Sequence, residues 1–263
     1  AFQREEFARH GLPLPEFLIL REFDASAIRD FAARHQPVVV KAARGGYDGR
    51  GVTVVHGDPS DVVRELIEET PVLLEEFLEL VGEAAVSIVT GRDGATVTYP
   101  PVDTIQKDGM CDLVHVPSTL PNARAEMATE LAERVAHVVQ AVGVLAVELF
   151  VTSDAILVNE VATRPHNSGH WSIEGATTSQ FENHVRAVGG LSLGATSPLA
   201  PFITMINVVG GATEPPWSEL HEIDGIAVHN YNKANRPGRK LGHVTVLSDE
   251  AATHLRTVAT VRD

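Results

Sequence analysis

The chain has 263 residues, 44% hydrophobic and 21% charged, which supplies a packed core and excludes a disordered or fibrous protein. Its 21 basic and 35 acidic residues leave a formal charge of −14, the wrong sign for bulk attraction to DNA, RNA or an anionic membrane surface. The single cysteine, Cys111, excludes an intrachain disulfide framework and fits a reducing compartment, while no apolar run approaches the ~18 residues of a membrane span.

The opening Ala1-Phe2-Gln3-Arg4-Glu5-Glu6 is charged and reads as the start of a helix over 2–10, not a signal peptide, closed by Gly11. Pro13 and Pro15 then lead into an extended segment, Phe17–Leu20. Asp24-Ala25-Ser26 opens a helix to about His35. Residues 37–42 form a β-branched strand ending near Lys41. A glycine-rich loop, Gly45-Gly46-Tyr47-Asp48-Gly49-Arg50-Gly51, joins it to a strand at 52–55. Asp58-Pro59-Ser60 begins a helix to about Glu69, and a strand follows at 72–77.

Segments 84–90 and 95–99 read as a hairpin turning at Gly91-Arg92-Asp93-Gly94. A strand covers 111–116, and the longest helical pattern runs over 122–142. Two strands at 144–151 and 155–161 flank a tight turn, and a helix covers 178–188. Beyond Gly189-Gly190 come short strands at 203–208, 225–231 and 241–247 and a helix near 249–256. Strands in hairpins, rather than singly alternating with helices, indicate an α+β fold.

Five stretches carry chemistry. Four glycines between two strands suit a hairpin tip that folds over phosphates, and Lys41 would add a point charge; the sequence lacks the ending of a Walker loop, and a mobile surface hairpin would look the same. Glu148 and Glu160 lie six residues either side of Asp154. In a regular hairpin they face each other, and like charges so placed call for a bridging cation, with magnesium suited to two carboxylates plus phosphate oxygens. Asn159 joins that site only through a bulge. Glu75-Glu76-Phe77-Leu78-Glu79, followed by Glu83, offers acceptors for an adenine amine or ribose hydroxyls, or a charged sheet edge.

The fourth stretch, Arg164-Pro165-His166-Asn167-Ser168-Gly169-His170-Trp171, is dense in polar groups. Its i,i+4 histidines raise zinc, but Asn-Ser-Gly between them argues against the helix that would align them. Fifth, the segment from Lys233 to His243 holds Lys233, Arg236, Arg239 and Lys240 in an otherwise acidic chain. That local cluster suits an anionic substrate, or is a solvated basic turn. Cys111 reads as a small strand residue rather than a nucleophile.

In this order the motifs resemble the ATP-grasp superfamily, and within it the 5-(carboxyamino)imidazole ribonucleotide synthetases. The stretches that carry the likeness include Gly-Gly-Tyr-Asp-Gly-Arg-Gly, His-Asn-Ser-Gly-His-Trp, Ser179-Gln180-Phe181-Glu182 and Arg236-Pro237-Gly238-Arg239-Lys240. The resemblance implies two α+β subdomains sandwiching ATP, plus a small β-rich C-terminal domain. It divides the chain into a lid subdomain with its entry helix (1–74), a large subdomain with the metal site (75–194) and the C-terminal domain (195–263). A further N-terminal α/β domain of the family is expected to be absent, in keeping with a first residue other than methionine.

The resemblance also assigns roles. Lys41, Gly45, Gly46, Gly49, Arg50, Gly51, Glu75, Phe77, Leu78, Glu83, Gln106 and Asn159 would contact ATP. Glu148 and Glu160 would bind Mg2+. Tyr47, Asp48, Arg164, His166 and Lys233 would line the catalytic pocket, and Asn167, Arg239 and Lys240 would meet the substrate. At Gln106 some relatives carry histidine. The implied reaction is ATP- and bicarbonate-dependent carboxylation of 5-aminoimidazole ribonucleotide, through carboxyphosphate, by a cytoplasmic homodimer with no nucleic-acid or membrane partner. The alternatives are a nucleotide-binding fragment without turnover, or another ATP-grasp ligase of purine metabolism.

Overall fold

The computed structural model describes residues 2–44 and 51–262. Gly45, Gly46, Tyr47, Asp48, Gly49 and Arg50 therefore lie outside the described residues. The described chain clusters into two compact units.

The first unit comprises residues 1–81, 108–110 and 150–159. Helix α1 (Phe2–Arg9) ends where Gly11 takes a φ of +63°, a conformation that costs glycine little. Strand β1 (Phe17–Leu20) precedes α2 (Ala25–Arg34), whose N-cap Asp24 accepts hydrogen bonds from the backbone of Ser26 and Ala27 at 2.9 and 3.0 Å. Strands β2 (Val38–Ala42) and β3 (Val52–Val55), helix α3 (Ser60–Ile67) and strand β4 (Val72–Glu76) complete it. The sheet order is β1-β4-β2-β3, antiparallel throughout, with Glu75 of β4 opposite Val39 and Phe17. Its core joins Ile28, Phe31, Val38, Val40, Val63, Val72 and Leu74. A carboxylate in mid-sheet is thus the anomaly of this unit.

The second unit holds residues 82–107, 111–149 and 160–263. Its strands belong to a nine-stranded sheet ordered β10-β9-β5-β7-β8-β11-β13-β12, with β6 paired to β5. In chain order the strands are β5 (Gly82–Thr90), β6 (Thr96–Thr98), β7 (Val102–Lys107), β8 (Met110–Val116), β9 (Gly143–Val151) and β10 (Ile156–Ala162). After them come β11 (Phe202–Val209), β12 (Ile226–Asn230) and β13 (Lys240–Ser248). The helices are α4 (Asn122–Val139), the four-residue α5 (Ser172–Gly175), α6 (Gln180–Gly189), α7 (Trp217–His221) and α8 (Ala251–Arg262). Residues 195–263 supply β11, β13 and β12 to this same sheet.

Several boundaries differ from expectation. Helix α4 stops at Val139, not 142, because Gln140 turns left-handed at φ 52°. Strand β7 has no counterpart in the sequence reading: Val-Asp-Thr-Ile-Gln-Lys is two-thirds polar and follows two prolines. Helix α6 begins at Gln180 rather than 178, since Ser179 serves as its N-cap and accepts from the backbone of Glu182 at 3.1 Å. Helix α8 runs on to Arg262. Among the described residues no helix is long and apolar enough to cross a membrane.

Candidate active site

In the first unit the chemistry converges on Glu75. Its carboxylate is buried, 2% exposed, where water cannot screen a charge. Arg4, on the same helical face as buried Phe7, donates from Nε to Glu75 Oε1 at 2.5 Å and from Nη1 to the Val158 carbonyl at 2.6 Å. Lys41 places its ammonium on the other oxygen, Oε2. Lys41 also stands 5.5 Å from the Phe150 ring centroid. Two cations and one carboxylate leave one positive charge in surplus, so the group can still attract an anion. Lys41 is therefore anchored by Glu75 rather than free, a constraint that adjacency in sequence could not reveal.

The other nucleotide-contact candidates of this unit are accessible. Phe77 is exposed, and Leu78 and Asn159 are half-buried. Gly51 closes the base of the glycine loop, where its carbonyl accepts from the Ala42 amide at 2.9 Å.

In the second unit Glu148 and Glu160 lie on the neighbouring strands β9 and β10, the first half-buried and the second exposed. Both offer hard oxygen donors, the ligand type magnesium takes. Glu148 also approaches His166, Oε1 to Nε2 at 3.3 Å, so a candidate metal ligand and a candidate catalytic residue share one contact. Glu83, at the start of β5, and Gln106, on β7, are half-buried.

His166 is held firmly. It caps the 3-10 turn Asn167–Gly169, with Nδ1 2.9 Å from the Ser168 hydroxyl. Its backbone amide donates to Gln180 Oε1 at 2.9 Å, and its carbonyl accepts from Gln180 Nε2 at 2.7 Å. The same Nε2 lies 2.9 Å from His170 Nδ1. Gln180 is fully buried and does for this loop what backbone pairing does in a sheet. The approach is close: a Cβ on Gly169 would meet Gln180 Oε1 at 2.6 Å, which explains glycine there. The loop thus ties both His166 and His170 to Gln180.

Asn167 exchanges hydrogen bonds with Asn207, 2.8 and 2.7 Å, and Asn207 also donates to the Cys111 carbonyl at 2.8 Å. Much of the Asn167 amide is already committed to the framework. Arg164 is exposed and donates to the Pro165 carbonyl at 3.1 Å. In the basic turn, Lys233 Nζ donates to the Lys240 carbonyl at 3.3 Å and lies 4.8 Å from the Tyr231 ring centroid, while Arg239 donates to the Ala234 carbonyl at 3.2 Å.

Burial pushes His170 down to about 4, and the fields of His166, His229, Lys240 and Arg164 add to the shift. Burial also lowers His243, to about 3. The Cys111 thiol is pushed up to about 12 by burial, which keeps it protonated and inert at neutral pH.

This arrangement has relatives. The ATP-grasp domain family matches residues 5–181, and the phosphoribosylaminoimidazole carboxylase C-terminal domain matches 204–257. The N5-carboxyaminoimidazole ribonucleotide synthase of Pseudomonas aeruginosa is 37% identical over 99% of this chain and 71% of its own length. The chain belongs to the N5-carboxyaminoimidazole ribonucleotide synthase family of ATP-grasp proteins. The synthase of Mycobacterium tuberculosis is 44% identical over 95% of this chain, which spans 61% of that relative's length. Among solved structures, the Aspergillus clavatus synthase in complex with ADP and 5-aminoimidazole ribonucleotide superposes with a TM-score of 0.89, at 30% identity, over 99% of this chain and 70% of its own.

Membership in this ATP-grasp family accounts for the α+β fold. It assigns no role by itself to Arg4, Gln180, Asn207 or Tyr231, which the sequence reading left without function. Arg4 had a usable signal, its i,i+3 phase with Phe7. Gln180 lies inside Ser179-Gln180-Phe181-Glu182, one of the stretches that carry the family likeness.

Proposed function

We propose that the chain carries the ATP-grasp and C-terminal parts of an enzyme that carboxylates 5-aminoimidazole ribonucleotide with ATP and bicarbonate, releasing ADP and phosphate. The observation that carries the reading is Glu148 Oε1 at 3.3 Å from His166 Nε2, with His166 and His170 both tied to buried Gln180. It sets a firmly held imidazole beside a carboxylate suited to a metal. The synthases named above, one of them solved with ADP and the aminoimidazole ribonucleotide, support it.

In this reading Lys41, with Gly45, Gly46, Gly49, Arg50 and Gly51, binds the ATP phosphates. Phe77, Leu78, Glu83, Gln106 and Asn159 are assigned nucleoside contacts, while Glu75, buried and paired with Arg4 and Lys41, orients Lys41. Glu148 and Glu160 would hold magnesium, which neutralises phosphate charge when bound. A bicarbonate oxygen attacks the γ-phosphorus, ADP leaves, and the resulting carboxyphosphate breaks into phosphate and carbon dioxide. The substrate amine then takes the carbon and loses a proton. Tyr47, Asp48, Arg164, His166 and Lys233 position these anions, while Asn167, Arg239 and Lys240 meet the ribonucleotide. Excluding water from this step would protect carboxyphosphate. The division at residues 74 and 194, a cytoplasmic location and a homodimer complete the proposal.

The test is phosphate release by the full-length protein. Release should require both bicarbonate and 5-aminoimidazole ribonucleotide, and Glu160→Ala should reduce it by at least about 100-fold at ordinary magnesium. Release that ignores bicarbonate, or that persists in Glu160→Ala, would overturn the reaction or the metal assignment respectively.

A further inference from the structure

Glu174, His229 and His243 come together from three separate parts of the second unit. Glu174 sits on α5, while His229 and His243 are directly opposed residues of the antiparallel strands β12 and β13. That register sets the two imidazoles side by side, 4.4 Å between centroids and 15° from parallel. Glu174 Oε1 lies 2.6 Å from His229 Nε2. One ligand atom from each of the three residues fits within 4.8 Å of the others.

Two atoms at this spot are unsatisfied. His243 is 1% exposed, and its Nε2 is buried with no hydrogen-bond partner. Glu174 Oε2 is likewise buried and unpartnered. Leaving such groups unmet in a protein interior is costly, so their coincidence points to a ligand between them. The other ring nitrogen of His243, Nδ1, is 2.7 Å from the Tyr231 hydroxyl. An Nδ1–H donated to that oxygen fixes the tautomer with a lone pair on Nε2, the arrangement seen when an outer group orients a ligating imidazole.

We propose that Glu174, His229 and His243 form a second metal site, separate in residues and chemistry from Glu148 and Glu160. Two imidazoles and one carboxylate select zinc or a neighbouring late first-row divalent ion over magnesium. Water would complete the coordination. The stacked rings must splay for both lone pairs to meet one ion, so uptake changes the environment of both imidazoles. The competing account of the same orphan atoms is an ordered water bridging Glu174 and His243.

Cobalt(II) titration of the metal-free full-length protein tests this. We expect saturation at one equivalent with visible absorption of imidazole-ligated cobalt, displacement by one equivalent of zinc, and no displacement by millimolar magnesium. Glu174→Gln and His243→Gln should each weaken binding by at least about tenfold. His137→Ala, an exposed histidine on α4, should leave it unchanged. Zinc should also shift the imidazole nitrogen resonances of His229 and His243 in the unaltered protein. Absence of saturable uptake, or uptake equal in Glu174→Gln and the unaltered protein, overturns the site and leaves the bridging water. Should His243→Gln fail to fold, Glu174→Gln and the resonance shifts still decide. Phosphate release plays no part in this readout, so its failure leaves the proposed reaction standing or falling on its own assay.

Discussion

In the first unit a buried carboxylate is shared between two cations, Arg4 and Lys41, while in the second unit His243 stacks on His229 and packs at a tilt against His170. The first cluster keeps its charge by pairing it. The second keeps its core dry by holding imidazoles uncharged, at least for His170 and His243. The difference shows that a chain with abundant acid groups handles buried polarity according to what the site must meet. The phosphate role proposed for Lys41 needs a net cation that persists at every working pH. A scaffold behind the His166 loop needs groups that hydrogen-bond without adding field.

The comparison can be broken most forcefully at Glu75. Glu75→Ala strands two cations in the interior, and we expect a loss of ~3–5 kcal/mol of stability, read as a lower urea midpoint. Glu75→Gln should cost less, since it keeps the shape and part of the hydrogen bonding. Equal stability of Glu75→Ala and the unaltered protein would mean that the cluster is solvated rather than paired.

The second unit is best probed at Gln180. Gln180→Ala removes three neutral contacts to His166 and His170, for a cost of about 2 kcal/mol. In the full-length protein it should also reduce turnover, because His166 loses its fixed orientation. A stable variant with full turnover would remove Gln180 from the site.

Acid sharpens the contrast with the smallest effect. His170 is lowered from an ordinary 6.5 to about 4 by burial, so the unfolded chain binds the proton more readily in between. Stability is then fully present above about pH 6.5 and is lost as pH falls toward 4. One unit below the free value the loss is about 1 kcal/mol for each imidazole so held. Hydrogen exchange of metal-free protein at pH 7.5 and 5.5 should show faster opening around α6 and β13. Exchange unchanged at those elements would contradict burial of a neutral His170.

Much of this architecture was legible from local signals. Asp24 and Ser179 mark helix starts because a side-chain oxygen there meets free amides, and Gly11 marks a stop because its φ is positive. Val52–Val55 and Val144–Val151 announce strands by β-branching. Strand β7 was missed because its stability comes from pairing to β5, not from its own polar composition. The site was legible as types but not as contacts. Glu75 reads as an acceptor, yet its partner Arg4 is 71 residues away. Glu174, His229 and His243 share no spacing at all, so only the strand register joins them.

The shortage of lysine gives this molecule a built-in set of reporters. Within these 263 residues, lysine-directed covalent footprinting has four targets, Lys41, Lys107, Lys233 and Lys240. Lys107 is exposed and supplies an internal reference, whereas Lys41 has its ammonium against Glu75 and Lys233 and Lys240 mark the basic turn. Under the proposed roles, protection at Lys41 reports nucleotide and protection at Lys233 and Lys240 reports substrate, both read against Lys107 and without a label introduced by mutation.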